Sequence, residues 1–497
     1  MLGVFYIKEI AYMGKYSVPE HILKCKPKGT MVKAINDHYY VYEFKTIKGE
    51  DGKRHTKMGR EIGKIEEGIG FVPNNNRLPE DEITTLEYGQ YAVVVENSQN
   101  ILSLLKEFFN PADATQIYVA SLIHFVEGFT YMKALNDYYS MSYLSLKYPT
   151  LKLGYDALAT LYDSLGRRQS DILAFEAKLI EQCSSEIAID GHVIGSCSGE
   201  NDLAGEDYKC GKLGEPQINL MMAYDVNTGI PLISRMYAGN IPDKISVQDF
   251  LKETEMQNLL FIVDRGFYSE ENIKLFSSKG NSYIIPLASN LSACKKAIQD
   301  LNFKNQFVYQ KGEKQTVIEY KDEMISGRRV LTFRDLSEAT AKKAKYLKCI
   351  EQGKKNYTEE GFNQYKDLWG VYVLQTSLKN EKNEYPAQKI FELYKKRWTI
   401  ETFYNYLKNT EELCTLYQQD YYKAQGVSFI MLVAALIHSE FEKAVKKVHG
   451  KNVTDCLCEA RMIKINKRQG TWSVANCGAK GKAFLEQLNT SVKIELP

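Results

Sequence analysis

Short apolar segments typical of buried β-strands recur between residues 185 and 376. They are EIAIDGHVIG from Glu186, INLMMAYDVNTGIPLISRMYAG from Ile218, NLLFIVDRGFY from Asn258, SYIIPLA from Ser282 and WGVYVLQTS from Trp369. The Asn-Thr-Gly turn in the second segment predicts a β-hairpin, and the polar segments SVQDFLKETEM and SEENIKLFSSKG between later strands predict helices. This alternation indicates an α/β fold built on one sheet.

Composition limits the classes to which the chain can belong. Its 497 residues predict two to four domains, and 44% apolar with 25% charged residues is typical of a soluble globular protein. No secretory signal begins the sequence, and the most apolar stretch, VSFIMLVAALI from Val427, is too short to span a bilayer. We therefore expect a buried helix there, no membrane partner and a cytoplasmic location.

The spacing of the cysteines and histidines does not indicate a zinc site. Ten cysteines are scattered without a C-x-x-C pair, and seven histidines show no ligand spacing. Scattered cysteines without a disulfide framework are typical of reduced thiols in the cytoplasm.

Changes in composition along the chain predict five regions. They are a small basic β-rich module at 1–75, a helical region at 76–184, an α/β core at 185–294 and 366–412, a β-rich insertion at 295–365 and a C-terminal helical region at 413–497. Between Lys24 and Arg60 there are ten Lys/Arg and four Asp/Glu, so the first module is either a DNA-contacting sheet or one that carries lysines on its edges. The segment LGYDALATLYDSLGRRQSDILAF predicts two helices joined at Leu165-Gly166. They are compatible with a helix-turn-helix, but an ordinary helix pair is the commoner arrangement in a helical region.

Three carboxylates fall at comparable points of the predicted core. Asp190 ends the first strand, Asp264 ends a later strand and Glu401 lies on the helix after the last strand. Strand ends of an open α/β sheet converge on one rim, and phosphodiester chemistry needs carboxylates clustered around two divalent ions. A single aspartate at a strand end is more commonly a helix cap.

The helix FELYKKRWTIETFYNYLKN from Phe391 presents a mixed polar face. At about 100° per residue, Tyr394, Arg397, Glu401 and Lys408 fall in one sector of roughly 60°. The pattern alone fits a solvated face with an ion pair as well as a functional one.

This spacing resembles the Y-R-E-K signature of bacterial insertion-sequence DDE transposases. AIDGH is similar to the first-acid strand of that family and FIVDRGFYSEENI to its second-acid strand. A hairpin with a Gly-Asn-x-x-Asp segment (Gly239, Asn240 and Asp243) and a β-rich insertion before the glutamate also resemble the family. The Arg-Pro pair that follows the lysine in some relatives is absent here, which leaves the subgroup open.

The resemblance implies a ribonuclease-H-like mixed sheet core in which Asp190, Asp264 and Glu401 hold two Mg²⁺ ions, with Mn²⁺ able to substitute. It further implies that Tyr394, Arg397 and Lys408 grip phosphates of double-stranded DNA. For two further residues, two roles stay open. Trp398 either stacks on an unpaired base or is a core tryptophan, and Arg265 is either a further phosphate contact or part of a structural ion pair.

As a whole, the resemblance implies a cut-and-paste transposase that binds transposon ends and target DNA, acts as a homodimer and is associated with the bacterial nucleoid. Two alternatives stay open, a catalytically silent transposase-derived DNA-binding protein and a ribonuclease-H-like nuclease that cuts without joining. A phosphatase-type hydrolase fits less well, because it does not need the basic N-terminal module.

Overall fold

The chain divides into two compact units in the computed structural model. The structure describes residues 18–48, 52–74, 84–128, 131–196, 198, 201–206, 216–254, 256–312, 314–380, 384–397, 415–416, 420–448, 450–468, 471–475 and 477–490. One unit comprises Met1–Thr85 with Asn466–Ser473, and the other comprises Leu86–Ile465 with Val474–Pro497.

Both helices and strands occur throughout the described residues. The helices are α1 (Glu20–Lys24), α2 (Gly89–Phe108), α3 (Pro111–Glu127), α4 (Met132–Ser140), α5 (Leu144–Lys147), α6 (Tyr155–Arg167), α7 (Gln169–Glu181), α8 (Asp243–Glu253), α9 (Glu270–Phe276), α10 (Ser292–Gln299), α11 (Leu336–Glu351), α12 (Glu359–Tyr365), α13 (Ala387–Lys396), α14 (Tyr421–Val445), α15 (Val453–Arg461) and α16 (Ala479–Gln487). The strands are β1 (Thr30–Ile35), β2 (His38–Lys48), β3 (Arg54–Glu66), β4 (Gly70–Pro73), β5 (Thr84–Glu87), β6 (Glu186–Ser196), β7 (Gly205–Glu206), β8 (Pro216–Asp225), β9 (Pro231–Ala238), β10 (Leu260–Val263), β11 (Ser282–Pro286), β12 (Asn305–Lys311), β13 (Lys314–Ile325), β14 (Arg328–Asp335), β15 (Val371–Thr376), β16 (Thr415–Leu416), β17 (Lys464–Arg468) and β18 (Thr471–Ala475). The fold class is therefore mixed α/β, as the sequence predicts.

The N-terminal module is a four-stranded antiparallel sheet in the order β1-β2-β3-β4. Its small core contains Ile22, Val41 and Ile65. The long alternating stretch from Met31 contains an extra turn at Asn36-Asp37, where φ is 49° and 60°. Two consecutive positive φ angles give the tight hairpin turn that Asn and Asp tolerate, so the stretch forms two strands.

The larger unit is organised around a mixed sheet. The order is β12-β13-β14-β15-β11-β10-β6-β8-β7, with β9 paired to β8 and β16 paired to β6. β6, β8 and β9 are successive antiparallel neighbours, whereas β10 is parallel to β6 and β11 is parallel to β10. The predicted Asn-Thr-Gly hairpin is confirmed as the turn between β8 and β9. A separate three-stranded sheet has the order β18-β17-β5, and it includes two strands in the C-terminal region that we predicted to be helical.

The region predicted as a β-rich insertion belongs to the main sheet. β14 pairs with β15 along Arg329 to Arg334, and β15 in turn pairs with β11. β12, β13 and β14 therefore extend the core sheet at its edge. They do not form a sheet of their own.

α14 is the central helix of the larger unit. Among the described residues it is the one helix long and apolar enough to cross a membrane by length and composition, and 83% of its most apolar window is buried. This agrees with the expected buried helix. Gly426 of α14 and Gly166 of α6 permit a close helix crossing, because a Cβ on Gly166 would lie 1.9 Å from the Tyr422 carbonyl oxygen and one on Gly426 would lie 2.0 Å from that of Tyr162.

The position of Gly166 corrects one sequence prediction. α6 continues through Gly166 to Arg167, and α7 begins at Gln169, so the two helices join at Arg168 and not at Leu165-Gly166. Glycine is present there for helix packing, a role that the sequence alone does not distinguish from a turn.

Candidate active site

Strand register brings two of the predicted acids together. β10 runs parallel to β6 with Val263 opposite Ile189, so the next residues, Asp264 and Asp190, are neighbours on adjacent strands. Adjacent strands lie about 4.8 Å apart. Asp264 follows the last residue of β10 and precedes a single 3-10 turn, Arg265–Phe267.

Asp190 is not at a strand end, contrary to the prediction. β6 continues for six more residues, to Ser196, because its other neighbour β8 pairs with it as far as Gly195. Only the ladder to β10 stops beside Asp190. The edge of the sheet that carries the two acids therefore lies where β10 ends. Asp190 is at this edge although it is in the middle of β6.

The Asp190 carboxylate is largely withdrawn from water. Its side chain is 20% exposed, Oδ1 accepts a 3.0 Å hydrogen bond from the Gly191 N–H, and Oδ2 lies 3.6 Å from Nη1 of Arg397. Burial raises the pKa of Asp190 to about 6; the Arg397 guanidinium opposes this rise and the Asp264 carboxylate adds to it. The site thus concentrates negative charge that one arginine offsets in part.

α13 carries the cationic side of the site. Arg397 caps the C-terminus of α13 and is 6% exposed, and its guanidinium carbon lies 5.9 Å from the ring centroid of Tyr394, one turn earlier. The position of this helix is fixed by Phe391, whose ring contacts those of Phe333 at 5.0 Å and Tyr309 at 5.2 Å. The added strands β12 and β14 therefore support the helix that presents Arg397 to Asp190.

The hairpin turn between β8 and β9 supports the end of the same helix. Lys396 Nζ donates a 2.9 Å hydrogen bond to Asn227 Oδ1 in that turn. The turn is itself held by Asp225, which accepts hydrogen bonds from Ser184 and from the N–H groups of Asn227 and Thr228.

Asp243 has a structural role beside the site. Asn219 Nδ2 donates a 2.7 Å hydrogen bond to Asp243 Oδ1, and that oxygen lies 3.0 Å from where a Cβ on Gly191 would be. These contacts hold the start of α8 against Gly191, the residue after Asp190. Asn219 was not identified from the sequence. Its only signal there is a polar residue inside an apolar strand, which is 2% exposed in the structure.

Several predicted site residues lie outside the described residues, namely Glu401, Trp398 and Lys408. The described residue Arg265 is exposed at the start of the turn after Asp264. The described part of the chain contains no cluster of three or more His, Cys, Asp or Glu side chains with metal-binding geometry, and of the predicted triad it includes Asp190 and Asp264. The described cysteines are all free thiols.

The sequence of this region matches a known family. Residues 181–437, slightly more than half of the chain, match the model of the transposase DDE domain. The chain belongs to the transposase DDE domain family. The match includes Asp190, Asp264, Tyr394 and Arg397, together with the strands that extend the sheet.

Other comparisons accompany this assignment. No curated protein sequence matches the chain significantly. Among solved structures, a cryo-electron microscopy structure titled as the piggyBac transposase synaptic complex with hairpin DNA is similar at 11% sequence identity and a TM-score of 0.39. The alignment covers 75% of this chain and 78% of that one.

Membership in the DDE transposase family supports a transposase function, which makes the chain an enzyme of DNA cleavage and transposition. DDE transposase domains generally use divalent metals. The two described acids have the donor chemistry for such an ion. Carboxylate oxygens are the ligands that hard divalent cations prefer, and the paired charges of Asp190 and Asp264 favour a cation between them.

Proposed function

We propose that this DDE-family protein is a cut-and-paste transposase. It binds the terminal inverted repeats of its own insertion sequence, hydrolyses a DNA strand and joins the resulting 3′-hydroxyl to target DNA by transesterification. The observation that carries this proposal is the placement of Asp190 beside Asp264 on adjacent parallel strands, with Arg397 next to Asp190.

The proposed cofactor is a pair of Mg²⁺ ions, with Mn²⁺ as a substitute. Asp190, Asp264 and Glu401 would hold them, and when bound the ions activate the attacking oxygen and stabilise the leaving oxygen of the phosphodiester. Asp190 suits this task because its carboxylate is largely buried and lies close to the Asp264 carboxylate, so a cation between them would be favoured.

The chain's own cations and aromatics position the DNA in this proposal. Arg397 holds a fixed positive charge beside the acids, which favours a backbone phosphate at the rim where β10 ends. The Tyr394 ring lies within cation–π distance of the Arg397 guanidinium, and both are proposed to contact the same stretch of DNA backbone. Lys408 and the exposed Arg265 are further proposed phosphate contacts, and Trp398 is proposed to stack on an unpaired base near the cut.

The proposal extends to the fold and the assembly. A ribonuclease-H-like core is supported by the order β9-β8-β6-β10-β11, in which the first three strands are antiparallel and the last two run parallel to β6. Double-stranded DNA is the proposed partner, and a homodimer that holds both transposon ends is the proposed active form. The proposed location is the bacterial cytoplasm, on the nucleoid.

The test uses purified full-length protein, Mg²⁺ and labelled DNA that carries the flanks of its own gene. We expect cleavage at a defined end followed by joining to a plasmid, and loss of both steps in Asp190→Asn, Asp264→Asn and Glu401→Gln. Asp202→Asn, at an exposed acid of the same unit, is the matched control and should retain both activities.

Two other outcomes would contradict the proposal. Specific binding of the flanks without cleavage by the wild-type protein would favour the silent DNA-binding alternative. Cleavage without joining would favour a nuclease.

A further inference from the structure

Two strands of the N-terminal module continue beyond its sheet as a two-stranded ribbon. β1 pairs with β2 no further than Glu43, and β4 pairs with β3 only from Gly63 onwards. Beyond these points β2 and β3 pair only with each other, through residues 44–48 and 54–58. We call residues 44–48 and 54–60 the basic ribbon. Every residue in it is exposed, so neither of its faces contributes to the core of the module.

The ribbon leaves the sheet through irregular pairing. The register between β2 and β3 shifts between Val41 and Tyr42 and again between Tyr42 and Phe44. At the second shift Gly59 lies close to the Glu43 backbone, since a Cβ on it would be 3.0 Å from the Glu43 carbonyl oxygen. Such bulges bend a strand pair and increase its twist. The register shifts therefore mark the point where the ribbon leaves the part of the sheet that Val41 and Ile65 anchor.

Like charges face each other across the ribbon. Lys45 pairs directly with Lys57, and Lys48 pairs with Arg54. Like charges in directly opposed positions destabilise a strand pair. The described part of the chain supplies no carboxylate ion pair to any of these four side chains. Six Lys/Arg fall within residues 44–60 of the sequence against two acidic residues, Glu50 and Asp51.

Apolar and hydroxyl side chains alternate with these cations. Phe44 lies opposite Met58, and the two are 37% and 45% exposed. Thr46 lies opposite Thr56 between that pair and the Lys48–Arg54 pair. Repelling cations and exposed apolar groups are unfavourable in water, and both are relieved by a polyanion that also offers apolar edges.

We propose that the basic ribbon lies in the major groove of duplex DNA. The groove is about 12 Å wide and admits a two-stranded β-ribbon, and two strands about 4.8 Å apart fit it with their side chains. The Thr46–Thr56 pair and the Lys48–Arg54 pair share one face of the ribbon, because side chains alternate along a strand, and this face lies toward the base edges. Lys45 and Lys57 project from the opposite face, and their long side chains reach the phosphates on either side of the groove. This inference rests on the proposed function, because it takes duplex DNA as the substrate, and it assigns the holding of DNA to a segment separate from the acids.

The salt dependence of binding tests the ribbon in the full-length protein. The variant Lys45→Gln/Lys57→Gln and the control Lys24→Gln/Lys64→Gln each remove two exposed lysines of the same module. The control lysines are ion-paired, with Glu20 and Glu66. With a duplex of arbitrary sequence, the slope of log Kobs against log salt should fall by about two in the ribbon variant and change little in the control.

Methylation interference tests whether the basic ribbon lies in the major groove. Methylation of guanine N7, which lies in the major groove, should interfere with binding of the wild-type protein but not with the residual binding of the ribbon variant. An unchanged slope, or equal losses in variant and control, would overturn the inference. Binding of the ribbon to anionic lipid vesicles in preference to duplex DNA would overturn it as well.

Failure of this inference is distinguishable from failure of the proposed function. If the ribbon variant binds DNA like wild type while Asp190→Asn still abolishes cleavage, only the ribbon inference fails. If Asp190→Asn cleaves normally, the proposed function fails whatever the ribbon does.

Discussion

Asp190 and Asp225 are two acids on neighbouring strands whose surroundings give them opposite properties. Burial raises the pKa of Asp190, and the Arg397 guanidinium 3.6 Å away and the Gly191 N–H oppose this rise without cancelling it. Burial also acts to raise the pKa of Asp225, but hydrogen bonds from Ser184 and from two backbone N–H groups outweigh it and lower the pKa below its ordinary value. The first carboxylate is suited to ligand binding, and the second is a structural anchor.

Asp225→Asn should therefore destabilise the protein. The carboxylate accepts four hydrogen bonds at 2.6 to 3.2 Å, two of them from Ser184. Because the folded pKa is depressed, this stabilisation is complete above the unfolded pKa and is lost as pH falls through the folded one. We expect a loss of about 2 kcal/mol at neutral pH by urea unfolding. Asp202→Asn, at an exposed acid, should change the free energy of unfolding by less than about 0.5 kcal/mol; equal effects would refute the assignment of Asp225.

At the scale of elements, the sequence predicted the core strands well, because apolar runs and turn residues are local signals. It missed that β12 and β14 join the main sheet, because strand pairing over long sequence separations leaves no local pattern. It also placed Asp190 at a strand end, since apolar character stops there while the β8 ladder does not. Whether Glu401 completes the site stays a prediction.

Phe391 links these added strands to the active-site helix. Its side chain is fully buried among Phe307, Tyr309 and Phe333. Phe391→Ala should lower the free energy of unfolding by about 3–4 kcal/mol, because it leaves a cavity in the core. It should also reduce DNA cleavage, because α13 loses the aromatic contacts that hold it against β12 and β14. Tyr365→Ala, at an aromatic residue that is 46% exposed, is the control and should leave both unchanged. Full cleavage by a destabilised Phe391→Ala protein would show that α13 does not need this support.

The crossing of α6 and α14 gives a second test at this scale. Gly166→Ala places a methyl group 1.9 Å from the Tyr422 carbonyl oxygen, so the two helices must separate. We expect a loss of more than about 2 kcal/mol in thermal or urea unfolding. Gly154→Ala, at the N-cap of the same helix with nothing within 4 Å, should cost under about 1 kcal/mol.

At the scale of the whole molecule, acid sensitivity follows from two buried histidines in the larger unit. Burial lowers the pKa of His124 on α3 to about 3 and that of His438 on α14 to about 4. The unfolded chain takes up these protons near pH 6.5 and the folded chain does not, so stability is complete above pH 6.5 and falls as pH falls toward 4.

The size of this effect is measurable. His438 alone should account for a loss of roughly 3 kcal/mol between pH 6.5 and pH 4. In urea unfolding as a function of pH, His438→Gln should flatten the profile in that window, whereas the exposed control His21→Gln should leave it unchanged. Equal slopes for His438→Gln and the wild type would contradict the assignment.

The central claim is that Asp190 and Asp264 bind the divalent ion that DNA cleavage requires, and exchange of ligand and metal tests it most directly. Cleavage by Asp190→Cys and Asp264→Cys is measured in Mg²⁺ and in Mn²⁺, which accepts a thiolate more readily than the hard Mg²⁺ does. The account predicts loss of cleavage in Mg²⁺ and recovery in Mn²⁺ for both variants. Undiminished cleavage in Mg²⁺ by either variant would contradict it.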